Sequence, residues 1–252
     1  MHNKLIKYEL NLLNKGIRYI AGVDEVGRGA LAGPFVVGAV ILDLEKIFTE
    51  YRNNDVEHLK LENIKDSKQL TQKNREIASE FIYKICISTS IEVISSKVVD
   101  KIGISKCTQM GFFNAIKKLK VKPQHILTDA FAIKGLSAEI QTNIRSGDKL
   151  SISIAAASII AKVFRDNLMR ELHKEYEEYG FDRHKGYGTK LHIENLRKFG
   201  HCEIHRMSFS PIKQKPGAIH KMWKLGSAPG HSIHSMGLTE PKLYQEESVS
   251  DI

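Results

Sequence analysis

The 252-residue chain carries 38 lysines and arginines against 29 acids, a formal net charge of +9, with 42% hydrophobic, 27% charged and 8% aromatic residues. That apolar share suffices for a buried core and excludes a collagen-like or globally disordered chain, while the longest apolar stretches, 35–42 and 152–161, fall far short of the roughly 20 residues of a membrane-spanning helix. The expectation is a soluble protein, not associated with a membrane, whose basic balance suits a polyanionic partner through counterion release.

At the N-terminus, Lys4, Lys7, Glu9, Lys15 and Arg18 interrupt the apolar residues, so no export signal is expected. Residues 18–23 and 35–42 are short apolar runs that read as two strands, joined by the glycine-rich segment DEVGRGALAGP. Residues 51–70 turn polar and read as a surface connection. Thr71 then caps a helix on which Ile77, Ala78, Phe81, Ile82 and Ile85 recur at helical spacing. Residues 87–93 alternate like a strand, and 106–119 are helix-like, with Lys117, Lys118 and Lys120 suited to the negative end of the helix dipole.

The run HILTD, 125–129, is a strand ending in an acid, and 152–154 reads either as a strand or as the start of a helix. From Ala155 to about Tyr176 the pattern is helical, with an apolar stripe of Ile159, Ile160, Val163, Phe164 and Leu168. Strands alternating with helices after an opening strand pair predict an α/β sheet of partly antiparallel character. Residues 1–212 form the expected domain, with a helical C-terminal portion and net charge +8, and residues 213–252 read as a disordered tail of net charge +1. Cys86, Cys107 and Cys202 are odd in number and form no C-x-x-C pair, which suits the cytoplasm better than an oxidising compartment.

Asp24 and Glu25 close the first strand, where alternation sends neighbouring side chains to opposite faces. Asp129 closes another strand, and Asp166 follows Lys162 by four residues and Ser158 by eight on one helix face. Singly, each reads as a turn acid or a surface ion pair. Together, four carboxylates without a zinc-type His or Cys set suggest oxygen ligation of Mg²⁺ or Mn²⁺. Two such ions about 4 Å apart suit phosphodiester hydrolysis.

Gly27 and Gly29 can bring backbone amides close to a ligand, and the Arg28 fork can bind phosphate. Lys65, Ser67 and Lys68 either hold a phosphate or belong to a solvated loop. Tyr187, set between glycines, either stacks on a nucleotide and meets a 2′-hydroxyl or packs as a surface turn. His201, Cys202 and His205 lack a second ligand pair and are not read as a zinc site.

In this order, DEVGRGALAGP, KDSKQL, ILTDA, SIAAASIIAKVFRD, HKGYGT and the later HRMSFSP resemble the ribonuclease HII family from about Tyr19 to Pro211. The resemblance implies an RNase H-like mixed sheet flanked by helices. It also implies a metal-dependent endonuclease acting on RNA/DNA hybrids and on ribonucleotides embedded in duplex DNA, with incision on the 5′ side leaving 5′-phosphate and 3′-hydroxyl ends. By motif match it makes Asp24, Glu25, Asp129 and Asp166 the metal-binding carboxylates. Gly27, Arg28 and Gly29 then meet the ribose 2′-hydroxyl and phosphate, with Tyr187 completing the contact. Val26, Ala30 and Ala130 depart from the residues often seen there, and Ala130 stands where glycine is common. With about twenty residues ahead of the first motif, the pattern fits this family better than ribonuclease HIII, which carries an extra N-terminal domain. A monomer is expected, and a catalytically silent hybrid-binding protein is the alternative.

Overall fold

A computed structural model describes residues 5–52, 64 and 70–212. In chain order its elements are α1 (Lys7–Leu13), β1 (Ile20–Val26), β2 (Phe35–Leu42), α2 (Leu44–Arg52), α3 (Gln72–Ile85), β3 (Cys86–Ile94), α4 (Ser96–Ile102), α5 (Ile104–Lys117), β4 (His125–Asp129), β5 (Gln141–Ile144), α6 (Ile152–Glu175), α7 (Phe181–His184) and α8 (Lys190–Phe199). Among the described residues the strands form one mixed sheet in the order β3-β2-β1-β4-β5. β1 runs antiparallel to β2, β2 antiparallel to β3, and β4 parallel to both β1 and β5.

Helices cover both faces, which is why every residue of β2 is buried. Alternation divides the strand residues between two cores. Phe35, Val37, Ala39 and Ile41 join Met110, Phe112 and Ala115 of α5 on one face, and Val40 and Leu42 join Ile82 of α3 and Ile154 to Ile160 of α6 on the other. The helix starts are set by short hydroxyl side chains. Thr71, Ser95, Ser151 and Thr189 each accept a hydrogen bond from a backbone amide in the first turn of α3, α4, α6 and α8. Ser151 is itself held by α1, because the buried Glu9 carboxylate accepts from its hydroxyl and from the Ser153 amide.

Thus 152–154 begins a helix rather than a strand, and the predicted stripe on α6 holds only in part. Ile159 and Ile160 are buried, but Phe164 is 37% exposed. Beyond Ala161 the inward side is instead Arg165, Asp166, Met169 and Leu172, because α6 has passed the end of the sheet and lies beneath polar loops. Lys118 caps α5 through its backbone amide, and its ammonium group pairs with Glu92 of β3 rather than meeting the helix end. Residues 51–70 are not wholly a surface connection, since α2 reaches Arg52 and Ile64 is buried. Lys65, Ser67, Lys68 and the tail 213–252 lie outside the described residues. No helix among the described residues is long and apolar enough to cross a membrane.

α6 touches the sheet through backbone. A β-carbon added at Gly22 of β1 would lie 2.0 Å from the Ser153 carbonyl carbon, and one at Gly38, opposite Asp24 on β2, would lie 2.7 Å from the Ala157 oxygen. These neighbours are main chain and cannot rotate away. Gly22→Ala is therefore expected to cost about 3 kcal/mol or more, the upper range for overpacking, read as a lowered urea midpoint; an unchanged midpoint would show that the helix can lift off the strand without cost.

Candidate active site

Asp24 shares with Gly22 the face of β1 that meets α6, and Glu25 takes the opposite face, as alternation requires. Asp24 is 6% exposed and accepts hydrogen bonds from the Ser158 hydroxyl of α6 and from the Glu25 amide, the latter at 2.7 Å. Burial first, then the charges of Glu25 and Asp129, hold its carboxyl well above the usual carboxylate range, against the pull of Ser158. Asp24 thus feels the charge of its neighbour on β1 and of Asp129 on the adjacent parallel strand β4. The Asp129 carboxylate accepts from the Gly147 amide at 2.8 Å. The next residue, Ala130, sits at φ 58°, a left-handed conformation that costs an L side chain about 1–2 kcal/mol; this is the position at which the family resemblance leads one to expect glycine.

Asp166 lies two helical turns beyond Ser158 on α6 and is engaged by cations, with Lys162 Nζ at 2.7 Å and Arg75 Nη1 of α3 at 3.9 Å. Among the described residues no group of three or more His, Cys, Asp or Glu side chains converges tightly enough to hold a metal ion. The donor chemistry nevertheless fits a hard divalent cation, since every group here is a carboxylate oxygen and the charges of Glu25 and Asp129 disfavour the ionisation of Asp24 in a way that a cation relieves.

The Gly27-Arg28-Gly29 loop is fixed from below by two arginines that are 0% exposed. Arg206 donates to the carbonyls of Gly27 (2.7 Å), Arg28 (3.1 Å) and Gly33 (3.0 and 3.1 Å). Arg165 of α6 donates to Pro34 (2.9 Å), Ala32 (3.3 Å) and Lys185 (3.0 Å). Gly27, at φ 85°, passes so close to Arg165 that a β-carbon there would lie 2.2 Å from its Nε. Gly29 is exposed with open space where a side chain would be, so packing does not demand its smallness. The Arg28 guanidinium donates to Thr108 Oγ1 of α5 at 2.6 Å, covers the Phe131 ring at 4.5 Å and lies 3.9 Å from Glu25.

Tyr187 is half-buried beside the same helix, with Arg165 Cζ 5.3 Å and Lys162 Nζ 5.8 Å from its ring centroid. Its loop is tied to the glycine loop by the Gly186 carbonyl, which accepts from the Leu31 and Ala32 amides at 2.8 and 3.2 Å. A chain of neutral histidines holds it from behind. The Tyr187 carbonyl can only accept, so His192 Nδ1 donates to it at 3.0 Å and His192 Nε2 must accept. His205 Nε2 lies 3.1 Å from that nitrogen and is the donor, because His205 Nδ1 already accepts from the Cys202 amide at 2.9 Å. Burial and the neighbouring rings push His192 down to about 4 and His205 down to about 3. Both His205 nitrogens are thereby committed to protein groups.

The structure thus brings Asp24, Glu25, Asp129, Gly27, Arg28, Gly29 and Tyr187 to one end of the sheet, with Asp166 on the helix beneath. Sequence reasoning passed over Arg165, Arg206 and His192, and weighed His205 only as a metal ligand. An arginine just before a site acid and a His-Arg pair in HRMSFSP were the available signals, but nothing in their spacing says that their partners are loop carbonyls.

The family model for ribonuclease HII matches residues 21–212. The ribonuclease HII of Caldicellulosiruptor bescii is 46% identical over 201 residues, covering 80% of this chain and 91% of its own length. That of Acholeplasma laidlawii is 46% identical over 207 residues, covering 82% and 95%. Among solved structures, the ribonuclease H2 of Pyrococcus horikoshii superposes with a TM-score of 0.61 at 26% identity, covering 77% of this chain and 94% of that one. The mixed sheet with its flanking helices is therefore the RNase H-like fold.

Two measurements check the supports of the loops. Arg206→Lys leaves buried carbonyls without donors and is expected to cost about 2–4 kcal/mol, a fall of several degrees in Tm; a shift under about 1 °C would mean that the loop does not depend on this residue. Because His192 and His205 have folded pKa values below the unfolded 6.5, the unfolded chain takes up protons first as pH falls, and stability is lost downward from pH 6.5 toward 4 and 3. Between pH 7 and 5 each histidine removes about 2 kcal/mol, so urea titrations should show a smaller pH dependence in His192→Asn than in the wild type, and equal dependence would refute the assignment.

Proposed function

The chain belongs to the ribonuclease HII family, and we propose that it is a metal-dependent endoribonuclease that cleaves the RNA strand of RNA/DNA hybrids and incises duplex DNA on the 5′ side of an embedded ribonucleotide. The observation that carries this reading is the buried Asp24 carboxyl, held in the field of Glu25 and Asp129 next to a glycine loop whose Gly27 and Arg28 carbonyls are turned inward to Arg206. Asp24, Glu25, Asp129 and Asp166 are the residues that would hold Mg²⁺ or Mn²⁺. A divalent pair bound there supplies Lewis acidity at phosphorus and a water of lowered pKa.

The chain's own groups do the selecting. With the Gly27 and Arg28 carbonyls drawn toward Arg206, the Arg28 and Gly29 amides that follow them are available to a phosphate or a ribose hydroxyl at the open Gly29. Tyr187, held at its carbonyl by His192, offers its ring to the sugar and its hydroxyl to the 2′-position. In the proposed reaction water attacks phosphorus, the bond from phosphorus to the upstream 3′-oxygen breaks, and that oxygen takes a proton, which leaves a 3′-hydroxyl and a 5′-phosphate on the ribonucleotide. The folded part's net charge of +8 draws the duplex in. The three cysteines carry no disulfide, which supports a cytoplasmic setting.

The test is cleavage of a labelled DNA duplex containing one ribonucleotide, with Mg²⁺, Mn²⁺ or EDTA, beside an all-DNA control and a long hybrid. Metal-dependent incision 5′ of the ribonucleotide is expected, falling at least about 100-fold in Asp24→Asn and Asp129→Asn, the scale of losing one preorganised electrostatic group. Tyr187→Phe should lower incision of the single-ribonucleotide duplex more than that of the long hybrid. Binding without cleavage would make the chain a silent hybrid binder, and cleavage of the long hybrid alone would remove the glycine loop and Tyr187 from their assigned roles.

A further inference from the structure

Asp166 is the acid that α6 brings to the site, and both of its oxygens already face cations. Lys162 Nζ lies 2.7 Å from Oδ1, and Arg75 Nη1 of α3 lies 3.9 Å from Oδ2. The two cations are held differently. Arg75 also donates from Nη2 to the Leu70 carbonyl at 2.8 Å, which ties its planar group to the chain just ahead of α3. Lys162 ends a flexible four-carbon stem, and among the described residues its ammonium meets Asp166 and, at 5.8 Å from the centroid, the Tyr187 ring.

Its place on the helix makes this pair more than an ordinary surface contact between residues four apart. Ser158, Lys162 and Asp166 succeed one another at four-residue steps along one face of α6. Ser158 holds Asp24, so Lys162 stands midway between the helix positions that serve the two acids, about 6 Å along the axis from each. A carboxylate as buried as Asp166, which is 7% exposed, is costly without a counter-charge, and the ammonium supplies one. The same charge opposes a second cation. A divalent ion bound at Asp166 has to take Oδ1 from Lys162, and a hydrated ammonium on a long stem can swing aside where the tethered guanidinium cannot.

We propose that Lys162 is a built-in counter-ion, an ammonium that occupies Asp166 and yields it to a divalent cation. The inference rests on the proposed ribonuclease reading, which makes Asp166 a metal ligand, and adds what sets the filling of that ligand. Lys162 raises the metal concentration at which Asp166 is taken up and keeps the buried carboxylate neutralised below it. Once displaced, the ammonium remains within reach of the face of the Tyr187 ring. Lys162 is thus a positioning residue that acts through Asp166.

The experiment titrates the metal-stripped full chain with Mn²⁺ by calorimetry, as wild type, Lys162→Met, Asp166→Asn and the double variant. Removing the ammonium should tighten Mn²⁺ binding about tenfold, the scale of one charge-assisted hydrogen bond that no longer has to be broken. Lys162→Gln should do the same, which ties the effect to the lost charge. In the Asp166→Asn background the lysine change should have no effect on Mn²⁺ affinity. The Mn²⁺ concentration for half-maximal cleavage of the single-ribonucleotide duplex should fall by the same factor in Lys162→Met. Unchanged or weaker binding in Lys162→Met overturns the counter-ion while the wild type still incises, and so does equal tightening with and without the Asp166 carboxylate, which would be the general effect of removing a positive charge. A wild type that fails to incise while Lys162→Met tightens Mn²⁺ only where Asp166 is intact overturns the ribonuclease reading and leaves the counter-ion standing.

Discussion

The close approach of α6 to β1 and β2 is the constraint on which the rest depends. Because Gly22 and Gly38 put no side chain between helix and sheet, the helix axis is set by contact with the strand backbone. Ser158 then meets Asp24, and the same rigid rod delivers Lys162, Arg165 and Asp166 beyond the end of the sheet, where the loops cross it. One side chain at either glycine would shift all of these together, since a continuous hydrogen-bonded helix moves as a unit. Small residues at 155–157 and 161 serve the same contact from the helix side.

Where local pattern decides structure, the sequence was legible. The strand read at 18–23 forms at 20–26, running on through Asp24 and Glu25, the one read at 35–42 forms as expected, and so does the Thr71 cap. Placement of Asp24 and Glu25 on opposite faces followed from strand alternation alone. Short elements such as α1, α4 and β5 carried too little periodicity to stand out, and α1 is fixed by a contact 142 residues away, between Glu9 and Ser151. The stripe on α6 failed for a similar reason. A side chain as polar as Arg165 reads as solvent-facing until the loop carbonyls that surround it are known. The family resemblance carried the assignment of the carboxylates further than spacing did, since each acid alone reads as an ordinary turn or surface residue.

The two buried arginines explain how a glycine-rich loop can be rigid. Glycine raises the entropy of a free chain, which ordinarily makes ordering such a loop costly at the moment of binding. Here six loop carbonyls, from Gly27 to Lys185, are already fixed by Arg165 and Arg206, so the ordering is complete before any ligand arrives. Desolvation disfavours the charge on both guanidiniums. The carbonyl dipoles that surround them offset part of that penalty, and the Ala30, Leu31, Ala32 and Gly33 amides of the same loop donate to protein carbonyls.

The histidine chain behind Tyr187 has a direction. From the Cys202 amide through His205 and His192 to the Tyr187 carbonyl, each nitrogen is either donor or acceptor, with no choice left. An imidazole is the side chain that receives at one ring position and gives at another, so a lone replacement of either histidine strands the hydrogen of its neighbour or leaves a lone pair unmet. In lineages descended from this sequence the two positions should therefore drift as a pair, with a change at 192 tolerated only after an answering change at 205, and the geometry of the tyrosine loop inherited through that linkage.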